Sequence, residues 1–598
     1  TGSKEKMRDF LNYCPVIAVS ESTMERYDVS TMLQQLKKAY AERVVNNGFD
    51  DSKIYNDELI KLNPDALEIL KELEGIIGKT KQSKKITSID INNQGFTEEE
   101  VNKIEDALKV KPVERTEEQK ELLEEKKEKI RQKNNAISVL RGISIRIPLL
   151  IYGADIKDGE DITPKNFTSV VDDLSWEEFM PKGVTKEMFK DITRYYDKEI
   201  FIEAGRKIRN RAKYADTLSP IERAKNIAEL FSTFKNPDKE TVLTPWKTVN
   251  IHMGDTLGGY NFFDDKYVVS LEEPRFINNG EVTLDTLIDT NCRILEINSK
   301  TGLYPLYITV SLFKQRCLNT DSKKLDEELM KCLWEQTVED NVFVLCRTPM
   351  AKKITKRTLI GFNDKKTNII NISNIFDQFK DNFNNINEYI HNPKTWGKKG
   401  EIMKFDAIVG NPPYQENISN NKENSSLSKQ LFPTFIEGAV KLNAKYVSLI
   451  TPSRWFSGDA QDKSFIKLRE FMKNNNHIVA IFHYPDEKEM FSNVEIKGGV
   501  NYFLYQKNYN GLTKFYICND KKRKKTMRPL FEEGMDIIIS DDKVYPILQK
   551  VKKHNFTSIT KITKGRNAFG IVGKEDYIKE VTQTKPMDGY VPVRCKAN

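Results

Sequence analysis

Four consecutive residues, Asn411, Pro412, Pro413 and Tyr414, close the short apolar run "FDAIVG". Their types can do chemistry. The Asn411 side chain offers an amide oxygen as an acceptor, and Pro412 offers a carbonyl with no N–H of its own. A residue before proline is pushed toward an extended conformation, and two prolines in succession hold that shape. The result is a rigid pair of acceptors pointing the same way, beside the Tyr414 ring. This set fits a planar ring that carries an exocyclic –NH2 group. One N–H bonds to the Asn411 oxygen, the other to the Pro412 carbonyl, and the ring stacks on Tyr414. Accepting both hydrogens draws the amine lone pair out of conjugation. A poor nucleophile then becomes usable without a strong base. Taken alone, a four-residue pattern in a chain of 598 is weak, and a strand followed by a proline-rich turn explains it equally.

The elements around the pattern raise its weight. From about residue 285, short apolar runs alternate with amphipathic stretches: "CRILEI", "NVFVLC", "TNIINI", "FDAIV", "KYVSLIT", "HIVAIFHY" and "GVNYFLYQK" are separated by segments such as "FPTFIEGAVKLN". Such alternation predicts an α/β fold with a doubly wound, mostly parallel sheet. Sheets of this kind bind ligands at the carboxyl ends of their strands, and "GNPPY" stands at one. Upstream, residues 1–135 are expected to be helical and charged, with "ERTEEQKELLEEKKEKIRQK" as an exposed helix held by i,i+4 pairs. Residues 136–240 continue as helices, including "PIERAKNIAELFSTF" and a segment "SWEEFMPKGVTKEMFKDI" with Ser175 as its N-cap and a break at Pro181 and Gly183. The sheet is expected over 241–510, and 511–598 to open a further β-rich domain.

Composition narrows the class. Hydrophobic residues are 38% and charged residues 30%, a soluble globular profile, and no run of about 18 apolar residues predicts a membrane span. The start, "TGSKEKMRDF", is too charged for a secretory signal and lacks Met, so the chain is expected to be a piece of a longer one. Seven cysteines without a CxxC pair predict reduced thiols in a cytoplasm, and five scattered histidines argue against a zinc site. The net charge of +8 suits a polyanion partner and equally a solvated lysine surface. The same two readings hold for the basic run "KKRKK" at 521–525. "GIIGKT" at 75–80 ends like a phosphate loop, but Leu73 stands where that motif needs its first glycine; a helix C-cap at Gly78 is the better reading.

The four-residue pattern resembles the (Asn/Asp/Ser)-Pro-Pro-(Tyr/Phe/Trp) signature of the S-adenosylmethionine-dependent amino methyltransferases, mainly adenine-N6 DNA methylases. Other stretches are similar in the order of their gamma-type arrangement. "VLTPWKTVNIHMGDTLGG" resembles the leading cofactor motif, with Thr244 and Pro245 as its Thr-Pro. "RILEINSKTGLY" resembles the first strand and its loop, with Glu296 in the acidic position, Asn298 in the loop and Gly302 at the turn. "LITPSRWF" and "IKGGVNYFLY" resemble later segments, the second with Phe503 packing on the substrate base. Two departures stand out. "VFVLCRTPMA" has Cys346, Arg347 and Thr348 where the family places an acid for the ribose hydroxyls, and Asn374 stands where an acid follows the third strand.

The resemblance implies the S-adenosylmethionine-dependent methyltransferase fold, S-adenosylmethionine as cofactor, double-stranded DNA as partner and a flipped adenine as substrate. In that account Asn411, Pro412, Pro413 and Tyr414 form the catalytic turn; Thr244, Pro245, Glu296, Asn298, Gly302 and Asn374 bind cofactor. Over roughly residues 100–570 the chain is also similar to large fused restriction–modification polypeptides, in which a nuclease and a helicase motor precede a helical coupler, the methylase and a target-recognition domain. On that basis 136–240 is the coupler and 511–598 the start of target recognition. Two other readings stay open: an amino methyltransferase acting on the flat amide of protein glutamine, and a DNA-recognition module that does not catalyse.

Overall fold

The computed structural model describes residues 142–554, except 158, 194–195, 235–241, 418–427, 461, 493, 520–521 and 542, together with 103, 106, 107, 116, 119, 123 and 140. The "GIIGKT" segment, most of the charged stretch 114–133, most of the polar insert 419–430 and the tail beyond 554 lie outside the described residues. The chain forms two compact units, Thr1–Ser540 and Asp541–Asn598, and the second contributes the described helix Val544–Lys552.

Among the described residues, the first unit includes in chain order α1 (Ile147–Gly153), α2 (Asp173–Phe179), α3 (Lys186–Ile192), α4 (Lys198–Ala215) and α5 (Pro220–Ser232). The expected break at Pro181 and Gly183 does separate α2 from α3. The N-cap of α2, however, is Asp172, whose carboxylate accepts from the Ser175 N–H. Ser175 sits a turn inside, and its hydroxyl donates to Asp172 at 2.6 Å. Next come α6 (Trp246–Thr256) and an antiparallel hairpin of β1 (Gly259–Phe263) and β2 (Ser270–Ile277).

The sheet follows in the alternation that the sequence predicts. Its elements are β3 (Ile294–Ser299), α7 (Leu303–Leu318), α8 (Glu327–Asn341), β4 (Val342–Cys346), α9 (Pro349–Ile360), β5 (Asn368–Asn371), α10 (Ile375–Asp381), α11 (Phe383–His391) and β6 (Ala407–Gly410). A small hairpin, β7 (Gln415–Asn417) and β8 (Ser428–Gln430), leads to α12 (Phe432–Lys441), β9 (Tyr446–Pro452), α13 (Ser464–Asn474), β10 (Ile478–Tyr484), β11 (Val500–Gln506), β12 (Thr513–Asn519) and β13 (Lys522–Arg528). The spatial order is β13-β12-β10-β11-β9-β6-β3-β4-β5. Strands β5, β4, β3, β6 and β9 run parallel, and β11 is inserted antiparallel between β9 and β10. The chain leaves β3 for β4 and β5, then returns to the other side of β3 at β6. That reversal opens a crevice between the carboxyl ends of β3 and β6.

Every residue of β3, β4, β6 and β9 is buried, because helices cover both faces of a parallel sheet. Side chains alternate between two cores. Ile294, Val409, Ile450 and Tyr502 join the core on one face; Leu295, Ile408, Leu449 and Phe503 join the other. Arg223 of α5 anchors the helical region to the first face. It donates to the Arg357 and Thr358 carbonyls at 2.6 and 2.9 Å, satisfying the last turn of α9, and pairs with Asp216 at 2.9 Å. Residues 142–234 and the sheet therefore share one core.

The sheet also runs past the boundary expected at 510. β12 pairs in parallel with β10, and β13 pairs antiparallel with β12 as the edge strand. Its exposed lysines carry no apolar signal, which hides it from a pattern reading, and they protect a free edge from pairing with another chain. No helix among the described residues is long and apolar enough to cross a membrane.

Candidate functional site

The crevice is built by backbone geometry before side chains enter it. Gly410, the last residue of β6, has φ 144°, and a Cβ there would lie 2.7 Å from the Ile297 carbonyl oxygen. Only glycine lets the ends of β3 and β6 come this close. On the β3 side, Asn298 takes a left-handed φ of 61°, within a register shift against β4 between Glu296 and Ser299. Its side-chain N–H donates to the Asn411 carbonyl at 3.4 Å, tying the two strand ends together. Gly302, at φ 76°, starts α7, and a Cβ there would sit 3.0 Å from the Thr355 Cα of α9.

Side chains then converge. The Asn411 amide N–H donates to Thr244 Oγ1 at 3.0 Å; Thr244 immediately precedes Pro245, the N-cap of α6. This bond fixes the amide and leaves Asn411 Oδ1 buried with no partner among the described residues. Pro412 is buried beside it. Tyr414 is 4% exposed, and its hydroxyl lies beside the Asn411 side chain without a well-aligned hydrogen bond among the described residues. Burial pushes the phenol well above its ordinary range. Phe491 meets the Tyr414 ring edge-on, with centroids 6.5 Å apart. Glu296 on β3 has a buried, unpartnered Oε2. Burial pushes its carboxyl up to about 8, against a smaller downward pull from Ser299. Three buried polar atoms thus await a partner around one crevice, where leaving a single such group unmade costs about 1–3 kcal/mol.

Behind the turn, a buried relay holds α6 against the sheet. Tyr304 Oη lies 2.7 Å from His252 Nδ1, and His252 Nε2 lies 2.8 Å from Ser448 Oγ, which donates to the Phe503 carbonyl at 2.9 Å. With the Ser448 proton committed, His252 carries its proton on Nε2 and accepts from Tyr304. Burial pulls its pKa down to about 3, so the ring stays neutral.

A cavity of about 580 Å³ lies over the carboxyl ends of β3, β4 and β6. Asn298, Lys300, Arg347 and Pro413 form its floor, and Trp176 and Glu178 of α2 form part of its roof. This size lies within the range of small-molecule sites, about 300–1,000 Å³.

Of the residues picked from sequence, Asn298 and Pro413 line this cavity, and most of the others gather at the crevice beside it. Thr244, Pro245, Glu296, Asn298, Gly302 and the turn Asn411–Pro412–Pro413–Tyr414 all stand around the crevice between β3 and β6. Two do not. Asn374 is exposed at the start of α10, follows the outermost strand β5, and is absent from the cavity wall. Phe503 is fully buried on the opposite face of the sheet from Tyr414, packed in the core that holds Trp455 and Phe465. Its neighbour Tyr502 takes the Tyr414 face instead, because side chains alternate along β11. The aromatic beside Tyr414 is Phe491, in the loop between β10 and β11. Sequence reading also missed Glu178 and the His252 relay. Both lie in stretches quoted above, His252 in "VLTPWKTVNIHMGDTLGG" and Glu178 in "SWEEFMPKGVTKEMFKDI", but each acquires its place through contacts across long stretches of chain.

Residues 340–491, which include the turn, match the family model described as Eco57I restriction-modification methylase. An "Uncharacterized adenine-specific methylase" of Mycoplasma pneumoniae (strain ATCC 29342 / M129 / Subtype 1) is 38% identical over 125 residues, 21% of this chain and 29% of the relative. The match therefore spans less than a third of that relative's length. Among solved structures, the type I restriction-modification methyltransferase subunit from Streptococcus thermophilus overlaps 83% of this chain and 93% of its own, at 11% identity and a TM-score of 0.33. A putative class I S-adenosylmethionine-dependent methyltransferase from Listeria monocytogenes overlaps 70% of this chain and 98% of its own, at 10% identity and a TM-score of 0.31.

Proposed function

We propose that this chain transfers a methyl group from S-adenosylmethionine to the N6 amine of an adenine in double-stranded DNA, as the modification part of a restriction–modification enzyme. One observation carries the reading: Asn411 Oδ1 is buried, unpartnered and held in place by Thr244 at the carboxyl end of β6. It is an acceptor made ready for a donor. The match of residues 340–491 to a restriction-modification methylase model supports the same reading.

The residues present fit the cofactor. Glu296 offers one carboxyl oxygen, without a partner among the described residues, to a cationic amino-acid end, and the cavity over β3 and β4 has room for a nucleoside. Thr244, Pro245, Glu296, Asn298 and Gly302 would hold it. When bound, S-adenosylmethionine supplies an electrophilic methyl group. The chain's own residues prepare the nucleophile. Asn411 Oδ1 and the Pro412 carbonyl accept the two amine hydrogens, and Tyr414 supports the ring. Neutral His252 is sealed in the core and takes no part in proton transfer. A paired adenine cannot reach a turn at the bottom of a crevice, so the base must be flipped.

The reading is tested by incubating the protein with methyl-labelled S-adenosylmethionine, duplex DNA and a glutamine-containing protein. Label is expected in DNA alone, and to fall by about 10²–10³-fold with Asn411→Ala. Label in the protein fraction, or none anywhere, would sink it.

A further inference from the structure

β4 ends at Cys346 and is followed by Arg347 and Thr348, so the loop beside the cavity contains no acid. The structure supplies one from elsewhere. Glu178, on α2 of the helical region, accepts a hydrogen bond at its Oε2 from Thr348 Oγ1, across 170 positions of chain. Glu178 is 7% exposed and forms part of the cavity wall with Asn298, Lys300 and Arg347. The other acids in that wall, Asp173, Glu177, Glu187 and Glu416, are exposed to solvent.

The placement of α2 is firmly set. Ser175 Oγ accepts from the Met350 N–H at 2.9 Å, capping the first turn of α9, and Thr348 Oγ1 caps the Ala351 N–H. Trp176 Nε1 donates to the Val184 carbonyl at 2.7 Å, closing the α2–α3 bend over the cavity. Burial pushes the Glu178 carboxyl up, and Lys300, the Thr348 hydroxyl and Arg347 offset part of that cost and favour its charged form.

We propose that Glu178 is the acceptor for the ribose hydroxyls of S-adenosylmethionine. The inference rests on the cofactor reading above. A vicinal diol presents two O–H donors, and a carboxylate in a poorly hydrated cavity is the strongest acceptor a side chain offers them. The acid that the β4 loop lacks is thus delivered by a helix outside the sheet. The helical region then becomes part of the cofactor site, and α2 both roofs the cavity and reads the sugar.

Calorimetry on the full chain tests this with S-adenosylhomocysteine and its 2′-deoxy and 3′-deoxy analogues. The unaltered protein is expected to lose about ten- to a hundredfold in affinity when a hydroxyl is removed. Glu178→Gln is expected to weaken the ribose ligand by a similar factor and to narrow the gap between ribose and deoxyribose ligands. A Gln variant that discriminates the sugars as well as the parent overturns the proposal. So does a parent protein indifferent to both hydroxyls, a result that leaves the cofactor reading standing. If the parent binds no S-adenosylhomocysteine, both readings fall. Should Glu178→Gln fail to fold, Glu178→Asp replaces it. It is expected to weaken the ribose ligand while sparing the deoxy ligands, and equal weakening of all three is the contrary result.

Discussion

Asn411 and Glu296 face each other's problem in reverse. The Asn411 oxygen is an acceptor with no donor among the described residues, and burial holds the Glu296 carboxyl neutral. Asn411→Ala removes a preorganised group aimed at the reacting amine. Its methylation rate is expected to fall by about 10²–10³-fold, as when a single oxyanion donor is deleted, with the melting temperature nearly unchanged. Glu296 makes a prediction about pH. Its folded-state value of about 8 stands above the ordinary 4.5, so the Glu296 carboxyl is protonated at neutral pH. A cationic cofactor end needs the carboxylate. Cofactor affinity is therefore expected to rise as pH climbs toward about 8, by up to about tenfold per unit, and then to level off. In Glu296→Gln, affinity is expected to be low and flat with pH. Stability runs the other way in the unliganded protein. The raised value favours the folded state fully below 4.5, and the advantage is lost as pH rises through about 8. Denaturant titrations at acid and alkaline pH are expected to show this slope in the parent and not in Glu296→Gln.

At the scale of elements, β11 decides what an aromatic can do. Phe503 lies on the face away from the turn, so Phe503→Ala is expected to cost about 3–5 kcal/mol of stability. Calorimetric unfolding measures this, and cofactor affinity per folded molecule should be unchanged. Phe491→Leu removes the edge contact on Tyr414 and is expected to raise the KM for DNA while leaving cofactor affinity intact. The contrast shows what could be read in advance. Runs such as "RILEI" and "FDAIVG" announce buried parallel strands, and their order with the loops after them placed Asn411, Glu296 and Gly302 together. Alternation says that Tyr502 and Phe503 point apart, but not which one faces the site. Asn374 was placed by strand count, and the strand it follows turned out to lie at the sheet edge. Glu178 and His252 were illegible because each is defined by tertiary neighbours, Thr348 in one case and Tyr304 with Ser448 in the other.

Across the whole molecule, one basic feature fits a polyanion. Lys522, Lys524 and Lys525 are exposed on the edge strand β13, and Lys522 pairs with Asn519 at the carboxyl end of β12. β12 runs parallel to β10, which is parallel in turn to β9 and β6, so Lys522 shares the turn's end of the sheet. Replacing the three lysines by serine is expected to weaken DNA binding without regard to sequence. The slope of log affinity against log salt should fall by up to about 3, because each phosphate contact contributes roughly 0.9. An unchanged slope would remove β13 from the DNA surface. The central claim, methyl transfer to an exocyclic adenine amine at the Asn411 turn, is tested most directly by identifying the modified nucleoside. Duplex DNA is incubated with the protein and S-adenosylmethionine, digested, and analysed by chromatography with mass spectrometry. The account predicts N6-methyl-2′-deoxyadenosine with the parent protein and about 10²–10³-fold less with Asn411→Ala. Methylation confined to cytosine, or equal N6 methylation by both proteins, would contradict it.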